Sequence, residues 1–522
     1  MPKVGFLSLG CPKNLVDSEV MMGILAQHGF EITARADEAD VLVVNTCSFI
    51  APAQQESVDT ILEMAEHKTY GRATRLVVTG CLVERYREQI MEQIPAVDAV
   101  IGTGEIERIV EAVTGPSLAI PLAAGLPTSG AAGVGPSSST ALTGRADLSA
   151  AGSALPTFLY HDAMPRVLAT PRHSAYIKIA EGCDHPCAFC IIPQLRGKFR
   201  SRRFESVVRE AGNLAAAGVR EITLIGQDTT SYGEDLGLRD GLAQLLARLA
   251  EVDGLAWVRF LYAYPNRVTQ RLLDTLAAHA RLVKYMDMPL QHASRNVLAR
   301  MKRGSSGAAF LRLIARARAT IPGLMLRTSF ITGYPGETEA DFRELCDFVR
   351  AAEFDWMGVF AYSDVDNAES FALGDKVDAE VIAERRDRLM ALQRPISARR
   401  LRRLVGQKVT ALVEGPSADT ELVWEARLGG MAPEIDGKIY LSDLEPAVTA
   451  MPAMNDRDEN GARALGRAAR AGDMVTVKIT ESHDYDVVGR VVEILEGVSP
   501  AVEFAGNAVR RISTGAALRV LA

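Results

Sequence analysis

The opening stretch, "MPKVGFLSLGCPKN", lacks the basic start, apolar core and small-residue cleavage site of a signal peptide. No uninterrupted apolar stretch is long enough to span a bilayer. Together these absences predict a cytoplasmic protein with no membrane partner. An even set of cysteines is also missing. The seven present (Cys11, Cys47, Cys81, Cys183, Cys187, Cys190 and Cys346) argue against a disulfide framework in so long a chain. A basic excess is absent too: the net charge of −7 counts against a nucleic-acid binder, though not against a local basic patch. What remains is an ordinary globular composition, 48% hydrophobic and 24% charged, in 522 residues, a length that suggests about three domains.

The chain divides by pattern into an α/β protein with a β appendage. Residues 1–113 alternate apolar runs ("VGFLSL", "VLVVN", "RLVVTG") with amphipathic helical stretches, the pattern of a parallel sheet domain. Residues 114–170 read as a flexible Ala/Gly/Ser/Pro linker, since only Arg145 and Asp147 are charged between 115 and 156. Over 171–404 six β/α units return, with strands at "AYIKIA", "EITLIG", "WVRFLY", "VKYMDM", "LMLRTSFI" and "WMGVFAY". Six right-handed units close most of a barrel or form an open sheet, with ligand sites at the C-terminal strand ends. Residues 405–498 carry short strands ("QKVTALVEG", "MVTVKITES", "DVVGRVVEIL") and read as a small β-barrel or sandwich with an inserted loop at 446–472. Residues 499–522 show no pattern and receive no role.

"EGCDHPCAFC" places Cys183, Cys187 and Cys190 in a C-x3-C-x2-C spacing on the loop after the first middle-domain strand. Thiolates so crowded repel unless a metal or cluster neutralises them. Zinc with His185 as fourth ligand is one reading, although the paired spacing of structural zinc sites is missing. A three-cysteine 4Fe–4S cluster with one open iron is the other, and the spacing resembles that of the radical S-adenosylmethionine enzymes. Cys11, Cys47 and Cys81 lie 36 and 34 residues apart, each just after an apolar strand ("LSLGC", "VVNTC", "VVTGC"). Strands of a parallel sheet end on one edge, so these three are expected to converge on one metal or cluster. Cys346 sits on the apolar face of a helix and reads as packing.

A three-cysteine N-terminal domain, a C-x3-C-x2-C radical domain and a small β domain together resemble the methylthiotransferases, whose last domain is called TRAM. The likeness covers the chain apart from the linker, the insert and the tail. One branch of that family modifies an adenosine of transfer RNA, the other an aspartate of small-subunit ribosomal protein twelve. "SLGCPKNLVDSE", "IGQDTTSYG", "YMDMPLQHAS", "RTSFITGYPGETE" and "APEIDG" resemble the ribosomal-protein branch. The transfer-RNA branch typically has Gln-Met-Asn after its first cysteine. Between Gly406 and Ser499, 17 acidic against 9 basic residues give −8, a charge that repels phosphate and attracts a basic ribosomal protein. The basic run "RGKFRSRRF" (196–204) is expected to face S-adenosylmethionine or the acidic substrate. Where the family has Glu-Glu-Gly-Thr, this chain has "YSDVDNAESF" (362–371).

The resemblance implies two 4Fe–4S clusters and S-adenosylmethionine as cofactors. The cluster on Cys183, Cys187 and Cys190 would bind S-adenosylmethionine and, on one-electron cleavage, release a deoxyadenosyl radical. That radical would take a hydrogen from the aspartate β-carbon, while the protein positions and shields it. The cluster on Cys11, Cys47 and Cys81 would deliver sulfur, and a second S-adenosylmethionine the methyl group. Cofactor-binding candidates are the backbone around Phe189, the strand-end residues Gly226 and Gln227, and Gln291, Arg327 and Ser329 near later strand ends. Gly333, Pro335 and Gly336 read as a turn. Expected partners are the ribosomal protein, met through the acidic TRAM-like domain, and an electron donor such as a flavodoxin or ferredoxin. Two alternatives stay open: the same chemistry on transfer RNA, and a non-enzymatic, zinc-stabilised RNA- or ribosome-binding protein.

Overall fold

The computed structural model describes residues 1–115, 155–418, 420, 423–442 and 469–495, and by backbone alone the short strands Val509–Arg511 and Val520–Leu521. Most of the expected linker (116–154), most of the expected insert (446–468) and the greater part of the tail lie outside the described residues.

The N-terminal domain is a parallel sheet with helices on both faces. In chain order it comprises β1 (Lys3–Leu9), α1 (Pro12–Gln27), β2 (Glu31–Thr33), β3 (Val41–Thr46), α2 (Ala51–Thr69), β4 (Arg75–Gly80), α3 (Cys81–Gln93), β5 (Ala99–Ile101) and α4 (Ile109–Thr114). The strand order is β2-β1-β3-β4-β5, every pair parallel. Alternate residues serve opposite faces. Val41, Val43 and Val77 pack into one core, whereas Leu42, Val44, Leu76 and Val78 pack with Ile61, Met64 and Leu82 in another. Covered on both sides, β3 is buried at all its positions, which is why it reads as an unbroken apolar run.

The middle domain begins inside the expected linker. The chain forms β6 (Arg166–Leu168), β7 (Ser174–Lys178), β8 (Ala180–Glu181), α5 (Ile192–Arg196), β9 (Arg200–Ser201) and α6 (Phe204–Ala216). It continues through β10 (Glu221–Ile225), α7 (Gly241–Leu249), β11 (Trp257–Phe260), α8 (Gln270–Ala278), β12 (Tyr285–Asp287), α9 (Arg295–Arg300) and α10 (Gly307–Thr320). The last elements are β13 (Met325–Thr332), α11 (Glu339–Ala352), β14 (Trp356–Ala361) and α12 (Ala379–Arg402). β7, β10 and β11 pair in parallel, as do β12, β13 and β14, and a bridge between Val258 and Leu282 joins the two sets. Six parallel strands thus stand side by side in chain order, the partial barrel that the β/α alternation predicts. Its helices begin where local chemistry permits. Thr338, for example, caps α11 reciprocally with Asp341.

A closed barrel follows, built from β15 (Lys408–Pro416), β16 (Trp424–Leu428), β17 (Ile439–Leu441), β18 (Met474–Ser482) and β19 (Val487–Ile494). It seals the N-terminal ends of the middle strands. Arg427 pairs with Glu221 at the start of β10 (2.6 Å), and the Trp356 Nε1–H at the start of β14 donates to the Gly430 carbonyl (2.8 Å). The Tyr285 hydroxyl at the start of β12 donates to Asp436 (2.7 Å). Of the tail, β20 (Val509–Arg511) runs parallel to β6 and β21 (Val520–Leu521) parallel to the end of β1.

Two findings differ from the sequence expectations. Residues 155–170 are not loose linker, because β6 is buried throughout and Arg166 pairs with Glu19 of α1 (2.5 Å) and Glu210 of α6 (2.7 Å). Its composition gave no sign of this, since its partners lie far away in sequence. Nor does Arg327 sit near a strand's C-terminal end. It is the third residue of β13, paired with Asp287 (3.0 Å) and with Asp436 of the C-terminal barrel (3.3 Å), so it joins two domains.

Two outcomes follow from these pairs. Arg166→Ala leaves Glu19 buried without its cation, a loss of roughly 3–5 kcal/mol. Calorimetry is expected to show the unfolding midpoint several degrees lower, and an unchanged midpoint would contradict a structural role for this pair. Burial pushes the Asp436 carboxyl up to about 6, against the pull of Arg327. The folded state then holds a proton that the unfolded chain has already lost, so stability falls as pH rises from about 4 to about 6, by up to about 3 kcal/mol. Urea titrations across this range are expected to show that slope in the parent chain and to lose it in Asp436→Asn.

Candidate functional site

The first cysteine trio is built by strand ends. β1 stops at Gly10, whose φ of +82° turns the chain into α1 with Cys11 as the cap and Pro12 at the first helical position. Gly10 is also required by closeness: a Cβ there would stand 2.6 Å from the Cys47 Cβ and 2.8 Å from its Sγ. β4 ends the same way, at Gly80 with φ +97° immediately before Cys81. Asn14 ties the ends together, its Nδ2 donating to the Leu9 carbonyl (3.1 Å) and the Thr46 carbonyl (2.8 Å). Ser57 fixes Cys47 by accepting from its backbone N–H (3.0 Å) and donating to its carbonyl (2.8 Å). Burial pushes the Cys47 thiol up to about 12, with Cys81 and Cys11 adding to the shift. Burial likewise pushes Cys81 up to about 11, opposed by the Arg196 guanidinium. Each of the three cysteines thus bears on the charge of another at the same edge of the sheet.

The second trio lies on the loop between β8 and α5. Burial raises Cys183 to about 11 and Cys190 to about 12, with Cys187 adding at both and Cys183 adding at Cys190. Arg303 stands against Cys187, Nη1 to Sγ 3.5 Å, while its Nη2 donates to the Pro289 carbonyl (2.6 Å) and its guanidinium lies 4.3 Å from the Tyr264 ring centre. His185 lies on the same loop with its Nε2 engaged by Asp228 (2.6 Å) and its ring stacked on Tyr264 (3.8 Å). Among the described residues no three His, Cys, Asp or Glu side chains stand close enough to hold a single metal ion.

One short segment touches both trios. Directly after Cys190, Ile191 and Leu195 pack with Cys81, Val365 and Ala368. Arg196, fully buried at the end of α5, reaches the Cys81 Sγ (3.7 Å) and the Asn14 side-chain oxygen, and pairs with Asp17 of α1 (2.6 Å). Lys178, at the end of β7, completes this junction by pairing with Asp17 and Glu181, both at 2.5 Å. The variant loop 362–371 closes the far side. Ser370 N–H donates to the Ala188 carbonyl (2.8 Å), and Asp366 pairs with Arg85 and accepts from the Tyr86 hydroxyl (3.1 Å).

The remaining sequence candidates fall in different places. Phe189 packs with Val297, Met301 and Tyr334 beside the second trio. Gly226 and Gln227 follow β10 at its C-terminal end. The Gln227 Nε2 donates to Glu181 (2.7 Å), leaving its Oε1 buried with no hydrogen-bond partner. Gln291, with φ +72°, exchanges backbone hydrogen bonds with Ser329 and Ile331 of β13. Gly333 and Gly336 both have positive φ, as a turn requires. Cys346 is buried in the barrel core. The basic run divides, with Lys198 and Arg203 exposed and its other three arginines engaged within the protein. Arg196 and Arg202 are buried on Asp17 and Glu210, and Arg200 donates to the Phe158 carbonyl (3.0 Å), so the structure uses these three internally.

Comparison with known proteins agrees with this layout. Residues 3–102 match the model of Uncharacterized protein family UPF0004, 177–349 that of the Radical SAM superfamily, and 405–492 that of the TRAM domain. The chain is 58% identical over 94% of its length to a Solibacter usitatus protein named ribosomal protein uS12 methylthiotransferase RimO, of which it covers 95%. It is 55% identical over 94% of its length to a protein of the same name from Koribacter versatilis, of which it covers 96%. A looser likeness is to the structure of a radical S-adenosylmethionine methyltransferase, TsrM, from Kitasatospora setae, with TM-score 0.46 at 17% identity, over 80% of this chain and 79% of that one.

Proposed function

The chain belongs to the ribosomal protein uS12 methylthiotransferases, and from that premise we propose that it attaches a methylthio group to the β-carbon of an aspartate of uS12 in the cytoplasm. The observation that carries this reading is the pairing of two cysteine trios, each at C-terminal strand ends of a parallel array, through residues 190–196.

The side chains suit the cofactors of this chemistry, two 4Fe–4S clusters and S-adenosylmethionine. Each trio offers three soft thiol donors, and a buried guanidinium stands against one sulfur of each, Arg196 at Cys81 and Arg303 at Cys187. The orphaned Oε1 of Gln227, at a strand end beside the junction, supplies an acceptor for a ligand. When bound, these groups supply the deoxyadenosyl radical, the sulfur and the methyl group.

In this reading Cys183, Cys187 and Cys190 hold the radical-generating cluster, and Cys11, Cys47 and Cys81 hold the sulfur-delivering one. Gly10 and Gly80 let two of the strand ends turn tightly enough to present their cysteines. Arg196 and Asn14 fix Cys81, and Arg303 fixes Cys187. Phe189, Gly226, Gln227, Gln291 and Ser329 remain the candidates to line the S-adenosylmethionine pocket, whereas Arg327 serves the domain joint. The closed barrel caps the strand starts, and the N-terminal domain meets the strand ends through Lys13 and Arg196. The acidic C-terminal domain attracts the basic ribosomal protein, and the electron comes from a flavodoxin- or ferredoxin-type donor.

After anaerobic reconstitution, metal analysis is expected to give about eight irons per chain, and two zincs in their place would refute the enzyme reading. Incubated with both uS12 and transfer RNA, the enzyme is expected to add a methylthio mass to the protein alone. Mass gain on the RNA alone would reverse the substrate assignment. Cys187→Ala is expected to lose both S-adenosylmethionine cleavage and transfer, while Cys11→Ala keeps cleavage and loses transfer. Equal loss of cleavage in both variants would contradict the division of labour between the trios.

A further inference from the structure

The interior of this protein is rich in charge, and its buried cations are in general matched by acids. Lys178 has Asp17 and Glu181, Arg166 has Glu19 and Glu210, and Arg259 has Glu221. Lys13 is different. Only 8% exposed, it stands among the described residues with no carboxylate at ion-pair distance. Its ammonium donates to the Gly226 carbonyl (3.3 Å) and lies 3.6 Å from the centre of the Tyr262 ring. An ammonium has three donors, of which this contact occupies one, and a buried unpaired charge is costly unless an opposite charge completes it.

The surroundings say what completes it. Lys13 follows Cys11 by two residues on α1, and Gly226 is the first residue beyond the C-terminal end of β10. The ammonium therefore lies between the first cysteine trio and the mouth of the middle-domain barrel. Tyr262 is held beneath it in the left-handed region (φ +63°), its N–H donating to Asp287 (3.0 Å) and its carbonyl accepting from the Thr229 N–H (3.2 Å). That fixed ring keeps the ammonium aimed at one place.

We propose that Lys13 is the specificity-determining residue that recognises the carboxylate of the target aspartate. The inference rests on the functional reading above and names the group that selects its substrate side chain. An aspartate β-carbon is one bond from its carboxylate carbon. A cation that grips the carboxylate beside Cys11 therefore presents that carbon to the sulfur-delivering trio and to the barrel mouth together. A neutral amide offers Lys13 no charge to pair with, so asparagine is refused at the same position.

The test is equilibrium binding of labelled uS12, and of uS12 with its target aspartate changed to asparagine, to the reconstituted holoenzyme without reductant, so that no turnover occurs. The parent enzyme is expected to prefer the aspartate form by at least about tenfold. Lys13→Met is expected to bring the ratio close to one, while Lys13→Arg keeps most of the preference. Lys13→Gln is read in the same way should Lys13→Met fail to take up its iron. A neutral variant that keeps the parent's preference overturns the proposal. Loss of the functional reading itself looks different: the parent enzyme then transfers nothing to uS12 when reductant is added, whatever residue occupies position 13.

Discussion

The architecture depends on a buried ionic seam between the first helix and the middle domain. Asp17 and Glu19, on different sides of the buried helix α1, meet Lys178, Arg196 and Arg166 from three separate segments of the middle domain. Isolated, such charges would be costly to bury; together they satisfy one another and set the angle at which the N-terminal sheet is held. Because Arg196 also reaches Cys81 and Asn14, the seam that joins the domains is the one that places a cysteine of the first trio. A hydrophobic joint of the same area would hold the domains together with less control over register.

The two ends of the middle strands are used for different purposes. At their starts the closed barrel is fastened by Glu221, Tyr285 and Trp356, and Arg327 belongs to this fastening. At their finishes lie the cysteine loop, Gly226 and Gln227. A core shared by the N-terminal sheet, the strand starts and the closed barrel binds the three domains into one body, with Leu15, Trp257, Tyr285 and Val413 among its members. The same core reaches Ile225 and Leu261 at the strand finishes, so the cysteine loop stands beside packed structure at the end where parallel α/β architectures place their ligands.

Much of this was legible in the sequence, and the legible parts share a cause. Strands such as "VLVVN" announce themselves because burial on both faces demands a nearly continuous apolar run. Cys183, Cys187 and Cys190 are legible through local spacing, and Cys11, Cys47 and Cys81 through a common position after a strand. Pairings across long sequence separations were not legible. The run 196–204 reads as facing S-adenosylmethionine or the acidic substrate, yet Arg196 finds Asp17 across 179 residues. Arg327 reads as a strand-end ligand because nothing local discloses Asp436. The buried strand at Arg166 is concealed for the same reason inside a stretch whose average composition is that of a linker.

The segment from Cys190 to Arg196 is a single element with a contact at either end, one trio containing Cys190 itself and the other touched through Leu195 and Arg196. A ligand that immobilises this segment from one side removes conformational freedom that a ligand on the other side would otherwise have to remove. Whatever order the segment gains is therefore felt at both of its ends, since the two share one short length of backbone.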